Sequence, residues 1–219
     1  MFELAERLYE GEYDVIDYAR LYQMARDAYD NLWDKARQYG RDVKLYLHWT
    51  ACPYDAVYGD YHINIGPDGE LRSTGDLDEV KSHTWRRNSG AIGITLDCCT
   101  DATTDDLGDE PPTEAQIEAM AQTIAVLADA LDLTIDMERV MTHGEAADNA
   151  DGYYGAYGSD EEYGPFSTVE RWDLQYLGTK ESPEYIKSFD DPATGGNVLR
   201  GKANWYRNYW KENPSKRPY

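Results

Sequence analysis

Between positions 14 and 39, Val15, Tyr18, Ala19, Tyr22, Ala25, Tyr29, Leu32, Trp33 and Ala36 recur close to the spacing i, i+3, i+4. That period places them on one side of an α-helix, with Gly40 as its stop. The pattern then shortens. VKLYLHW (43–49) is an apolar run of strand length that ends at His48. YHINIGPDGELRS follows as a strand, a Pro-Asp-Gly turn and a second strand. AIGITLDCC (91–99) is apolar almost throughout, as expected of a strand buried on both faces at the centre of a sheet. Residues 100–112 are polar and end in two prolines, which predicts a loop.

The next segment, TEAQIEAMAQTIAVLADALDL, is the clearest helix of the chain. Thr113 and Gln116 have the spacing of a capping box. Ile117, Met120, Ala121, Ile124, Leu127, Ala128 and Leu131 form one stripe, which should pack on the sheet. A short strand is expected up to His143, and a loop rich in Gly, Asp, Glu and Tyr over 144–170. Helix, strands, long helix and strand together predict an α/β fold, a mixed central β-sheet flanked by α-helices.

Charge narrows the partners. The chain of 219 residues has a formal net charge of −21, which argues against nucleic acid, because phosphate neutralisation needs clustered Lys and Arg. The charge is uneven. Between 98 and 165 Arg139 is the only basic residue, whereas the tail from 196 onward carries Arg200, Lys202, Arg207, Lys211, Lys216 and Arg217. Trp205, Tyr206, Tyr209, Trp210 and Tyr219 lie in the same tail. It is expected to be an extended strap whose aromatics dock on the domain, or a surface for an anionic polymer or carbohydrate. No apolar stretch reaches the ~20 residues of a membrane span. The acidic start MFELAERLYEGEYD does not have the make-up of a secretory signal. Synthesis in the cytoplasm is therefore expected. The three cysteines, Cys52, Cys98 and Cys99, lack metal-type spacing and are read as buried thiols.

The four histidines each lie at the start or end of an expected strand: His48 in LHWTA, His62 in DYHINIG, His83 in SHTW and His143 in THGEA. Two imidazoles at neighbouring strand ends are what a metal site on one sheet edge requires. Spacing alone leaves zinc and a set of unrelated hydrogen-bonded histidines both open.

LHWTA, DYHINIGPDG, SHTWRRNSGAIGITL and THGEA, in this order, resemble the zinc-dependent N-acetylmuramoyl-L-alanine amidases, whose fold is shared with peptidoglycan recognition proteins. The resemblance runs from about 43 to 177. It implies a catalytic domain over 43–178, an N-terminal helical extension over 1–42 and an aromatic, basic tail over 179–219. It also implies a Zn²⁺ cofactor held by His48, His143 and a later Cys or Asp that follows a basic residue. ERWDL offers that pattern, so Asp173 is the expected third ligand, with Asp148 and Asp151 as rivals. By the same resemblance Arg171 stabilises the oxyanion, Tyr61 orients water or shuttles a proton, and His83 and Asn88 flank the substrate groove. Glu145 has two readings, general base or a carboxylate that orients a ligand histidine. The second is favoured, on the expectation of an extended segment after His143. His62 is expected to be structural.

The implied activity is cleavage of the amide between the muramic acid lactyl group and L-alanine in peptidoglycan. It would serve lysis after phage-type release, or muropeptide recycling in the cytoplasm. A non-catalytic muropeptide-binding module and a zinc peptidase of the stem peptide are the alternatives.

Overall fold

The strand predicted to be central is central. In a computed structural model that describes residues 12–148, 150–152, 172–186 and 188–219, six strands form one sheet in the order β1-β4-β3-β5-β2-β6. They are β1 (Asp14–Ile16), β2 (Lys44–Trp49), β3 (Ile63–Ile65), β4 (Leu71–Ser73), β5 (Ala91–Leu96) and β6 (Val140–Thr142). β3, β5, β2 and β6 run parallel to one another, and β4 pairs antiparallel with β3 and with the edge strand β1. Every residue of β2 and of β5 is buried. Burial on both faces is why these strands lack the alternation of a half-exposed strand.

Helices α1 (Tyr18–Arg37), α2 (Glu114–Ala130) and α4 (Gly195–Glu212) pack together, with α2 in contact with both of the others and with β3 and β5. One continuous apolar core joins Leu21 and Leu32 of α1, Leu45 and Leu47 of β2, Ile92 and Ile94 of β5, Ile124 and Leu127 of α2, and Leu199 and Trp210 of α4. Each fully buried Leu or Ile contributes about 1.5–3 kcal/mol. The predicted capping box of α2 is formed: the Gln116 amide N–H donates to Thr113 Oγ1 at 3.0 Å, and the Thr113 N–H donates to Gln116 Oε1 at 3.0 Å. Gln116 Nε2 then donates to the carbonyls of Ile65 and Asp97, tying the helix start to two strand ends.

Three expectations are corrected. The helix predicted over 14–39 begins only at Tyr18. Asp17 caps it by accepting the Arg20 N–H at 2.7 Å, and the preceding residues extend as β1 along β4. The tail is no extended strap: Gly195–Glu212 is a helix, capped by Thr194. Leu199, Ala203 and Trp210, buried, and Tyr206, partly buried, supply a helical stripe that packs into the core. Most of its aromatics do dock, since Tyr219 stacks on Tyr22 with ring centroids 4.8 Å apart and its hydroxyl donates to Asp129, whereas Trp205 is exposed. The chain after β6 is not loop from 144 onward, since His143–Ala147 forms the short helix α3. Residues 153–171 lie outside the described residues.

Among the described residues no helix is long and apolar enough to cross a membrane. Cys52, Cys98 and Cys99 are buried, as expected.

Candidate metal centre

The helices cover one face of the sheet, and the chemistry gathers on the other. Along β2, Leu45, Leu47 and Trp49 enter the helix-side core, so Tyr46 and His48 point the opposite way. The register extends this face. His48 pairs with Thr95 and Asn64 pairs with Thr95, while Tyr46 pairs with Gly93. β2 and β6 are parallel, with Leu47 opposite Thr142. The next residues, His48 and His143, are therefore set side by side at the carboxyl end of neighbouring parallel strands. Ligand sites of open α/β sheets occupy that end.

The third member arrives from far along the chain. Asp173 sits in a turn whose next residue, Leu174, has φ of 60°. Its Oδ2 lies 3.3 Å from Nδ1 of His48 and 3.3 Å from Nδ1 of His143. All three residues are buried, and one potential ligand atom from each lies within 4.8 Å of the others. Burial, then the neighbouring His143 and His83, pushes the His48 pKa well below its ordinary value. His48 is therefore neutral, and its contact with Asp173 is not an ion pair. Neutral imidazoles and a carboxylate are the donor set zinc takes. Ligands at ~2.0 Å from a tetrahedral ion stand ~3.3 Å apart, which matches both imidazole–carboxylate separations. The residues present fit the metal.

Around this trio the expected site residues fall into place unevenly. Tyr61 packs on His48, ring centroids 5.0 Å apart. His83 is buried and edge-on to His48 at 5.5 Å, and its Nδ1 lies 2.9 Å from Thr84 Oγ1. A Cβ on Gly93 would come within 2.6 Å of the His83 ring, so the glycine makes room for it. Asn88 accepts the Thr84 N–H through Oδ1 at 2.8 Å and so closes the 84–88 turn. His62 is structural, as expected. The Gly93 N–H donates to its Nδ1 and its Nε2 donates to the Glu79 carbonyl, each at 3.0 Å. Burial lowers its pKa to about 4. Arg171 lies outside the described residues.

Glu145 departs from expectation because its segment is helical. It is the third residue of α3, and it completes a capping box with Thr142. Its two oxygens also meet Arg200, at 2.7 and 2.8 Å. Of the rival ligands, Asp148 is exposed at the end of α3. Asp151 is buried against Arg87, at 3.0 and 3.2 Å, and against Lys44. Neither joins the histidines in the cluster. Sequence reading missed Thr84, whose Oγ1 lies 3.4 Å from His48 Nε2, and Arg200. The only signal for Arg200 was its place on the buried stripe of a helix that was not foreseen.

A sequence model of the N-acetylmuramoyl-L-alanine amidase family matches residues 21–154. The chain belongs to that family. The matched span holds His48, Tyr61, His83, Asn88, His143 and Glu145 and stops short of Asp173. As a family member the chain is an amide hydrolase of the N-acetylmuramoyl-L-alanine amidase class. Two solved amidase structures from Clostridium intestinale URNW are similar at 17% identity, one an endolysin. Each match covers 48% of this chain, with 70% of the endolysin covered at a TM-score of 0.38 and 72% of the other at 0.37. No curated protein matches the chain in sequence.

Proposed function

We propose that this amidase is zinc-dependent and hydrolyses the bond between the lactyl group of N-acetylmuramic acid and L-alanine in peptidoglycan, in a lytic or wall-remodelling role. The observation that carries this reading is the meeting of His48, His143 and Asp173 at the carboxyl end of the parallel strands. His48 and His143 would hold the metal as neutral imidazoles through Nδ1, and Asp173 through a carboxylate oxygen. Zinc, when bound, supplies a water that ionises near neutral pH and a Lewis acid for the scissile carbonyl.

The chain's own groups complete the chemistry. Were Nδ1 given to the metal, His48 would carry its proton on Nε2, beside the Thr84 hydroxyl. That hydroxyl in turn faces His83 Nδ1. The chain of contacts fixes the tautomer and orientation of the ligand. Tyr61, packed on His48, orients the attacking water or passes a proton at its phenol oxygen. Arg171, two positions before Asp173, stays protonated at working pH. It therefore serves the negative charge that develops on the carbonyl oxygen by electrostatics alone. Glu145 is committed to Arg200 and to the α3 cap, so the role of general base does not fall to it.

Mass analysis of fragments from digested peptidoglycan tests the bond. New lactyl carboxylates with free L-alanine N-termini are expected. Cuts within the stem peptide would make the protein a zinc peptidase, and binding without new ends would make it a recognition module.

A further inference from the structure

Helix α4 reaches two of the three segments that carry the proposed ligands, those of His143 and Asp173. Arg200, on the second turn of α4, is 5% exposed. Its Nη2 donates to Glu145 Oε1 at 2.7 Å, and its Nη1 donates to Glu145 Oε2 and to the Val140 carbonyl, each at 2.8 Å. Nη2 also donates to Asn197 Oδ1 on the preceding turn, at 2.7 Å. One guanidinium thus bridges the β6 backbone and the carboxylate that closes α3. Glu145 Oε2 accepts the Thr142 N–H at 2.8 Å, and Thr142 Oγ1 accepts the Glu145 N–H at 3.2 Å. His143 is the first residue of that helix, so its backbone is fixed from both sides.

The same end of α4 touches the Asp173 segment. The Gly195 N–H donates to the Gln175 carbonyl at 3.2 Å. A Cβ on Gly195 would lie 1.9 Å from the Leu174 carbonyl oxygen, and one on Gly196 would lie 2.5 Å from Glu145 Oε1. Two glycines therefore let the helix lie directly on the residues that follow or support two ligands. The family model ends at residue 154 and takes in none of α4.

We infer that Arg200 is a positioning residue for the metal centre, acting through Glu145 and the α3 cap to hold His143 beside His48, so that the C-terminal helix sets the affinity for zinc. The inference rests on the zinc reading above. A buried bidentate Arg–carboxylate pair suits this task because its planar fork fixes direction as well as distance.

The test is the zinc dissociation constant of the full chain, from competition with a chromophoric chelator at fixed pH, on variants whose circular dichroism is that of the parent. Arg200→Met should weaken zinc about 10–100-fold, the usual effect of losing a group that orients a ligand. Arg200→Lys should fall between, because an ammonium keeps the charge but cannot span both oxygens. Lys202→Met breaks the α4–α2 ion pair with Glu118 and should stay within about twofold of the parent. If Arg200→Met leaves a buried carboxylate that prevents folding, the double variant Glu145→Gln/Arg200→Met removes both charges and keeps a cap. Weakened zinc in it supports the inference. Parent-like affinity in Arg200→Met or in the double variant overturns it, as does equal weakening by Lys202→Met. A parent chain that takes up no zinc would instead overturn the zinc reading itself.

Discussion

On the helix-covered face of the sheet, Leu45, Leu47, Ile63, Ile92 and Ile94 meet α1, α2 and α4 in one apolar core. On the opposite face the same strands, with the turns beside them, present Tyr46, His48, His62, Asn64 and Thr95, all equally buried. Burial is the same and the chemistry is not. The apolar face needs only shape and volume, so many combinations of side chains would fill it. The polar face carries buried nitrogens and oxygens that need partners, and its histidines meet theirs in two ways. His62 and Asn64 are met by backbone: Asn64 accepts the Tyr58 N–H and donates to the Tyr58 carbonyl, as His62 does with Gly93 and Glu79. His48 and His143 instead turn the same nitrogen toward one carboxylate oxygen. A histidine met by backbone on both nitrogens is committed to the fold, whereas the pair converging on a carboxylate is the arrangement on which the zinc reading rests.

Breaking the polar face at its converging pair should have the largest effect. His143→Ala is expected to lower peptidoglycan turnover by ~1000-fold or more, since Lewis-acid activation is worth several kcal/mol of barrier. Its circular dichroism should remain that of the parent. Turnover within tenfold of the parent would remove His143 from the site. On the other face, Ile94→Ala should cost about 2–5 kcal/mol of unfolding free energy, because it opens a cavity beneath α2. The zinc bound per folded chain should not change. Loss of zinc in proportion to stability would mean that the two faces are not separable.

The backbone-satisfied histidine gives a smaller, pH-dependent effect. The His62 pKa of about 4 in the fold lies below its ordinary 6.5. Unfolding therefore takes up a proton in the window between them. The stability that His62 contributes is complete above pH 6.5 and is lost as pH falls toward 4. Between pH 7 and pH 5 the loss should be on the order of 2 kcal/mol. Urea unfolding of His62→Gln at the two pH values should show a shallower fall than the parent. An equal fall in both would assign the acid sensitivity elsewhere.

Much of this division was legible in the sequence. The stretch AIGITL, apolar but for Thr95, announces a strand covered on both sides, and the Thr113–Gln116 pair announces where α2 begins. The order of the histidine motifs pointed to His48 and His143, and the ERWDL pattern to Asp173, which meets them from 125 and 30 residues away. What stayed hidden depended on tertiary partners. GGNVLRGKANWYRNYWKE holds three glycines and many aromatics, so local propensity disfavoured a helix, and only packing against α2 makes it one. The helix at Glu145 had a local signal, the capping-box spacing of Thr142 and Glu145, whereas its partner Arg200, 55 residues on, had none. His83 was expected beside a groove. Its burial follows from Gly93, whose missing side chain makes the space.

The central claim is that the polar face holds zinc between His48, His143 and Asp173. Anomalous diffraction at the zinc absorption edge, on crystals of the zinc-loaded protein, addresses it directly. The account predicts one strong peak in contact with Nδ1 of both histidines and a carboxylate oxygen of Asp173. A peak at Asp148 or Asp151 instead, or none in protein that cleaves the wall at full rate, would contradict it.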